Sequence, residues 1–413
     1  RDRLRSRGLG DVYKRQTLFS RISLAAPDAI LGVTTRFKAD PRPNKVNLGA
    51  GIYLNNDGQV PVLNVVREAE EAIVAQHLPH PYLPISGLPG LSGCVQRLLF
   101  GDDSEVIQSR RAVTVQSLGG TGALKVGMDF LNRICRKNKA AVSRPTWGNH
   151  ICLLEMAGFT VNSYRYYDAT HDALGFDAMM YDLGNMPTGT VLVLHACCHN
   201  PTGYDLTEEQ WKAVISLCQS RGLIPLLDIA YQGFGLGLQE DALAIRLFAA
   251  SGMSFLVASS FSKSFNLYNE RIGALTVVTA SETETKTVAS QLDYVMRANF
   301  SSPPSQGARI VFHTLSNETR FNAWCQEVAN MRTRIRQMRE ALAREMATVD
   351  AKRDFSFVTR QKGMFSFTGL TPDQIERLEK EFAIYAVKNG RICICGLNNQ
   401  NVAYVARSIA AVL

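Results

Sequence analysis

The stretch "TVLVLHACCHNPTGYDLTEEQWKAVISLCQSRGLIPLLDIAYQG", residues 190–233, decides the fold. It opens with the very apolar run "VLVLH", turns at "NPTG", continues through the amphipathic "QWKAVISLCQSRG" and closes on a second apolar run, "LIPLLDI". Short runs rich in Val, Leu and Ile bounded by turn residues read as buried strands, and the segment between them reads as a helix. The same rhythm extends outward in both directions, through "RAVTVQSLGGTGALKVGMDFLNRI" before it and "FLVASSFSKS" after it. The alternation implies an α/β fold with a mostly parallel sheet covered by helices on both faces. Ligands of such sheets sit outside the carboxyl ends of the strands, so polar residues that follow each apolar run can gather in one crevice.

After about Arg309 the pattern changes to long helical segments, "WCQEVANMRTRIRQMREALAREMATV", then a strand-like "FSFVTRQKGMFSFTGL" and a helix from "TPDQIERLEKEF". The organisation expected is a large domain over residues 56–310 and a smaller α+β domain over 311–413, with the N-terminal segment 17–55 joining the smaller domain. Residues 1–16, "RDRLRSRGLGDVYKRQ", have no apolar face at helical spacing and read as a non-native leader ahead of a start near Thr17. There are no internal repeats and no low-complexity tract.

At 413 residues, 46% apolar and 20% charged, the composition is that of an ordinary globular protein. Arg1, Arg3, Arg5, Arg7, Lys14 and Arg15, against Asp2 and Asp11, supply half of the net charge of +8, so the remainder argues against a nucleic-acid partner. No apolar run is long enough to cross a bilayer and no signal-peptide core is present, which points to a soluble, cytoplasmic protein. Nine scattered cysteines, an odd number, read as free thiols in a reducing compartment.

Four clusters could carry chemistry. "SLGGTGALKVG", residues 117–127, is a glycine-rich turn opening a helix, where free N–H groups and the helix dipole suit a phosphate, or where a plain tight turn would read the same. It is neither a Walker sequence nor a full dinucleotide motif. "HNPTG" makes a rigid turn that fixes the Asn200 amide. "LLDIAYQG" puts Asp228 inside an apolar strand with Tyr231 three residues on; a buried aspartate is costly unless it meets a cation, and the bland alternative is a cap. "SSFSKSFNLYNERIG", residues 259–273, places Lys263 at the end of an apolar run, where poor solvation favours the neutral, nucleophilic amine; alone, it would also suit a surface turn. Arg271, Ser260 and Ser262 suit the same phosphate as the glycine-rich turn. "HACCHN" invites a metal reading through His195, Cys197, Cys198 and His199, but adjacent strand cysteines point to opposite faces and the spacing matches no zinc motif, so no metal is expected.

A deep lysine, a buried aspartate, an oriented amide and phenol, and a phosphate cup are together what pyridoxal 5′-phosphate requires of a protein. The ordered set Asn200, Asp228 with Tyr231, Lys263 with Arg271, and Arg391 in "NGRICICGL" resembles class I aminotransferases of the aspartate and aromatic type, from about residue 17 to the C-terminus. The resemblance implies fold type I and a homodimer with shared active sites. It implies Lys263 as the Schiff-base lysine and proton shuttle, Asp228 at the pyridinium nitrogen, and Asn200 and Tyr231 at the 3′-oxygen. Gly120, Thr121, Ser260, Ser262 and Arg271 would hold the phosphate, with Trp147 of "PTWGNH" stacked on the ring and Tyr82 of "YLPISGL" reaching the neighbouring subunit's cofactor. Arg391, assisted by the Gly51 backbone, would grip the substrate α-carboxylate, while Arg297 of "MRANFSSPP" would meet a distal carboxylate from the partner chain. One departure is Gly119, where many aspartate enzymes carry serine, so a hydroxyl contact to phosphate would be missing.

Arg297 does not discriminate aspartate from aromatic specificity, because the aromatic branch keeps this arginine and swings it aside. In wording, "GGTGALKVG", "LIPLLDIAYQGFG", "YLPISGL" and "CGLNNQNV" are closer to the bacterial aromatic-amino-acid branch, with a strict aspartate enzyme as the alternative. The activity implied is ping-pong transamination with 2-oxoglutarate. A non-catalytic sensor domain of a transcription regulator would need a DNA-binding domain ahead of it, and sixteen residues cannot form one.

Overall fold

The computed structural model describes residues 18–19, 21–25, 30–349 and 353–413; the leader expected over residues 1–16 lies outside them. Its centre is a seven-stranded sheet in the order Ala112–Leu118, Ile272–Val278, Phe255–Ser260, Ile224–Ile229, Val191–His195, Lys139–Arg144, Thr160–Arg165. Every neighbouring pair is parallel except the two made by Ile272–Val278, which runs antiparallel to both its neighbours. The strands Val191–His195, Phe255–Ser260 and Ile272–Val278 are buried at every position, as the continuous apolar runs require when helices cover both faces.

The stretch 190–233 folds as its pattern dictates. Thr207 accepts from the Gln210 N–H while Gln210 returns a bond to the Thr207 backbone, and this reciprocal cap starts the helix Glu208–Arg221. Gly222, in the left-handed region at φ 63°, ends that helix and lets the chain turn directly into the strand carrying Asp228.

The antiparallel strand Ile272–Val278 lies outside the alternation seen in the sequence. Gly273 explains how it enters the sheet: a Cβ there would fall 2.5 Å from the Gly119 carbonyl carbon and 2.6 Å from the Ser259 oxygen. The strand thus passes close against the glycine-rich turn, next to Arg271.

Beyond Gln306 the chain is mainly helical, with the 31-residue helix Glu318–Thr348 as its spine and Val402–Val412 packed along it. Trp324, fully buried on the spine, donates from Nε1 to the Ser264 oxygen (2.9 Å) and stacks on Phe265 at 4.7 Å, which ties the spine to the Lys263 loop. The segment Val46–Asn47 pairs in parallel with Ile384–Tyr385. The strand expected over "FSFVTRQKGMFSFTGL" is only partly present: Ser356–Arg360 is a 3-10 helix and only Phe365–Phe367 is strand, paired antiparallel with Arg391–Cys393. Arg339 holds the chain in this shape: its buried guanidinium collects the carbonyls of Val358, Gly363 and Phe365 at 2.7–3.0 Å. All nine cysteines are free, and no helix among the described residues is long and apolar enough to cross a membrane.

Candidate active site

At the carboxyl ends of the parallel strands lies a cavity of about 170 Å³ lined by Gly51, Gly120, Thr121, Trp147, His195, Asn200, Asp228, Tyr231, Ser260, Ser262, Lys263, Tyr268 and Arg271. Strand ends therefore deliver the clustered polar residues to one place. The opposite wall belongs to Trp147, which precedes the helix Gly148–Met156 and also lines an adjoining cavity of about 630 Å³ with Asn149, Asn200, Asn389 and Arg391.

Asp228 is the only acid among the described residues lining the first cavity, and it is buried. His150 Nε2 donates to its Oδ2 (3.0 Å), and the other ring nitrogen bonds the Thr146 hydroxyl (2.9 Å). Burial alone would push the carboxyl up, but the His150 bond and the nearby His195 and Lys263 outweigh it and hold Asp228 below the usual carboxylate range. Its Oδ1 has no hydrogen-bond partner among the described residues. A buried ionised oxygen left unpaired in a cavity wall is suited to a cationic N–H donor, such as a protonated ring nitrogen.

Lys263 lines the same cavity with its Nζ 5.0 Å from the centre of the Tyr231 ring. Burial of the amine, opposed by Asp228 and reinforced by Arg271 and Arg391, brings its pKa down to about 8. A lysine so placed has a substantial neutral, nucleophilic fraction near neutral pH. Tyr231 is shifted the other way: burial lifts its phenol above the ordinary range, despite the counter-pull of Arg391, so it remains a donor. Its oxygen lies 3.5 Å from Asn200 Nδ2.

At the far end, the helix Gly119–Asp129 starts without a side-chain cap, leaving its first N–H groups available. Arg271 donates to the Ser262 hydroxyl (3.4 Å) and the Tyr268 carbonyl (3.0 Å), and Ser262 N–H donates to Ser260 Oγ (3.3 Å). Gly119 has φ 67°, and a Cβ on it would stand 2.6 Å from Arg271 Nη2. The missing serine hydroxyl is thus replaced by close approach of the arginine to the turn.

Arg391 is buried in the adjoining wall. Its Nη2 donates to the Gly49 carbonyl (2.8 Å), its Nη1 to Asn200 Oδ1 (3.2 Å), and its guanidinium lies 4.1 Å over the Phe365 ring. Its Nε has no partner among the described residues. Gly51 contributes by being small, because a Cβ there would touch the Phe365 ring at 3.0 Å.

Two expected site residues lie elsewhere. Tyr82 is 94% exposed, and Arg297, near the end of the helix Glu282–Asn299, is exposed and bonded through Nη1 to the Ser301 hydroxyl (2.5 Å). Neither lines either cavity of this chain. Sequence reasoning missed His150, although a buried aspartate demands a donor and "TWGNH" sets a histidine one helical turn after Trp147. It also missed Tyr268, whose hydroxyl accepts from the Tyr53 N–H (2.8 Å) and donates to Asn266 Oδ1 (3.2 Å).

A nucleophilic lysine, an unpaired buried carboxylate and an anion-binding helix start around one cavity define the site of an enzyme that holds pyridoxal phosphate on a fold type I scaffold. Residues 43–409 match the family described as aminotransferase class I and II. The chain is 51% identical to an aspartate aminotransferase of Pseudomonas aeruginosa, over 96% of this chain and all of that one. It is 46% identical to the aromatic-amino-acid aminotransferase of Escherichia coli, over the same shares. It superposes with a TM-score of 0.94 on the aromatic-amino-acid aminotransferase of Burkholderia pseudomallei covalently bound to pyridoxal phosphate, at 51% identity, covering 96% of this chain and all of that one. The chain belongs to the class I and II aminotransferases; it is an aminotransferase and its cofactor is pyridoxal phosphate.

Proposed function

We propose that this enzyme transaminates both aromatic amino acids and the dicarboxylates aspartate and glutamate, with 2-oxoglutarate as amino acceptor, as a cytoplasmic homodimer. The observation that carries the reading is that Lys263 Nζ and the unpaired Asp228 Oδ1 open into one cavity whose far end is an uncapped helix start beside Arg271. When bound, pyridoxal phosphate supplies the carbonyl that accepts the amino group and a ring that delocalises electrons. Asp228 keeps the ring nitrogen protonated, and Asn200 with Tyr231 donates to the ring oxygen. Gly120, Thr121, Ser260, Ser262 and Arg271 hold the phosphate dianion, and Trp147 stacks on the ring. Lys263 anchors the cofactor and afterwards carries the substrate's Cα proton on Nζ.

Arg391 grips the α-carboxylate. Its unpaired Nε and its position beside Gly51 and Asn200 support that role. Arg297 and Tyr82 act on the partner's site, which their exposure in a single chain supports. Arg297 is held on an exposed helix end by one short bond to Ser301. Swinging it aside costs little, so a neutral aromatic side chain and a distal carboxylate can use the same space. The domain division proposed remains 56–310 and 311–413 with 17–55 joining the latter, and the pairing of Val46–Asn47 with Ile384–Tyr385 supports it.

Stopped-flow half-reactions with aspartate and with phenylalanine test the reading. Second-order rates within about tenfold of one another are expected, and Arg391→Leu lowers both by at least about thirtyfold, from the loss of roughly 2 kcal/mol in a buried charged contact. A phenylalanine rate about a thousandfold lower, roughly 4 kcal/mol in transition-state binding, would make this a strict aspartate enzyme.

A further inference from the structure

The wall of the cavity behind Asp228 holds a second arrangement of groups. One donor atom each from His150, His195 and Asp228 lies within 4.8 Å of the others, and all three residues are buried. His195 Nε2 and Asp228 Oδ1 have no hydrogen-bond partner among the described residues, and both residues line the cavity. The role proposed above for Asp228 accounts for its oxygen but leaves the imidazole nitrogen unexplained. A buried polar atom without a protein partner is unusual, and calls for a ligand, an ion or a water to meet it.

We propose that the cofactor-free chain binds a divalent transition ion of the zinc or cobalt type on His150, His195 and Asp228, so that metal and pyridoxal phosphate compete for Asp228. Two imidazoles and one carboxylate are the donor set these ions favour, and the cavity leaves a fourth position open. Bonds of about 2.0–2.1 Å in a tetrahedral site put ligand atoms roughly 3.3 Å apart, so the three need move only modestly. In the switch His150 exchanges its hydrogen bond to Asp228 Oδ2 for the metal. Its second nitrogen bonds the Thr146 hydroxyl, which can accept as readily as donate, so the ring can release Nε2 to a metal and keep the Thr146 bond as an orienting contact.

A second buried trio, Cys197, Cys198 and Asp241, also has donor atoms within 4.8 Å. Its carboxylate is already committed to the N–H groups of Gly233, Gly235 and Leu236 at 2.8–2.9 Å, so the histidine site is the one prepared for a ligand.

The test is a titration of the full-length chain, freed of cofactor, with Co²⁺ followed by visible absorption. One ion per chain with the bands of a low-coordinate nitrogen and oxygen site is expected. His195→Ala should weaken binding at least about tenfold, and the Cys197→Ser, Cys198→Ser double variant should leave it unchanged. Pyridoxal phosphate added first should abolish Co²⁺ uptake, and Zn²⁺ added first should slow cofactor uptake. Absence of Co²⁺ binding, indifference to His195→Ala, loss in the cysteine variant, or full Co²⁺ uptake by the holoenzyme would each overturn the proposal. If His195→Ala fails to fold by circular dichroism, competition in the unmodified chain decides alone. The competition arm rests on the cofactor's occupying Asp228, whereas the Co²⁺ titration does not. A chain that takes up Co²⁺ through His195 but no pyridoxal phosphate would therefore count against the cofactor reading and not against the metal site.

Discussion

Lys263→Ala leaves a folded protein that still takes up pyridoxal phosphate, without a covalent bond, and turns over at least about 10⁴-fold more slowly. Proton transfer by a positioned side chain contributes about 10²–10⁴-fold, and this variant loses the covalent anchor as well. Among the described residues no other lysine lines either cavity, so none there can take over. Retention of the cofactor follows because Asp228, Arg271 and the start of the helix Gly119–Asp129 are untouched. Folding survives because loss of a desolvated amine removes a cost along with its contact to the Tyr231 ring; Nζ makes no hydrogen bond or ion pair among those found. Steady-state kinetics with a bound-cofactor spectrum checks both halves. A variant with near-normal turnover would refute the role given to Lys263.

Asp228→Ala lowers kcat by about 10³-fold or more while substrate KM changes little. Removing one well-placed electrostatic partner from a dry site costs about 10²–10³-fold in kcat, and here a full charge is lost in a cavity with no second acid among the described residues. Asp228→Asn separates charge from shape: it keeps an acceptor oxygen for His150 but cannot hold a proton on the ring nitrogen, so its activity should resemble that of the alanine variant. Comparing kcat and KM for the two variants is the check. A drop below tenfold in Asp228→Asn would show that hydrogen bonding, and not the carboxylate charge, is what the site uses.

The parts of this site that the residues alone made legible stand at the ends of apolar runs, whereas Arg391, Trp147 and Gly51 were reached only through the family resemblance. Asn200 and Asp228 with Tyr231 follow that rule, and so do Ser260 and Lys263, since a parallel sheet collects strand ends and the runs announce the strands. His150 was not legible, because it reaches Asp228 from a helix 78 residues earlier in the chain, and no local pattern encodes that meeting. The strand Ile272–Val278 escaped because it breaks the alternation, entering antiparallel straight after the Arg271 loop with no helix before it. The 3-10 turn Ser356–Arg360 escaped for a different reason: Arg339 of the preceding spine helix folds back to bond its Val358 carbonyl, a contact no local pattern announces. Gly119 looked like a lost contact and is a point where a side chain would strike Arg271. Periodicity thus reports elements and strand ends, whereas contacts made across elements need coordinates.

The most direct test of the account is to reduce the holoenzyme with borohydride, digest it and locate the pyridoxyl group by peptide mass. A single modified peptide carrying Lys263 is expected, with modification absent in Lys263→Ala. Modification of any other lysine, or of none, would contradict it.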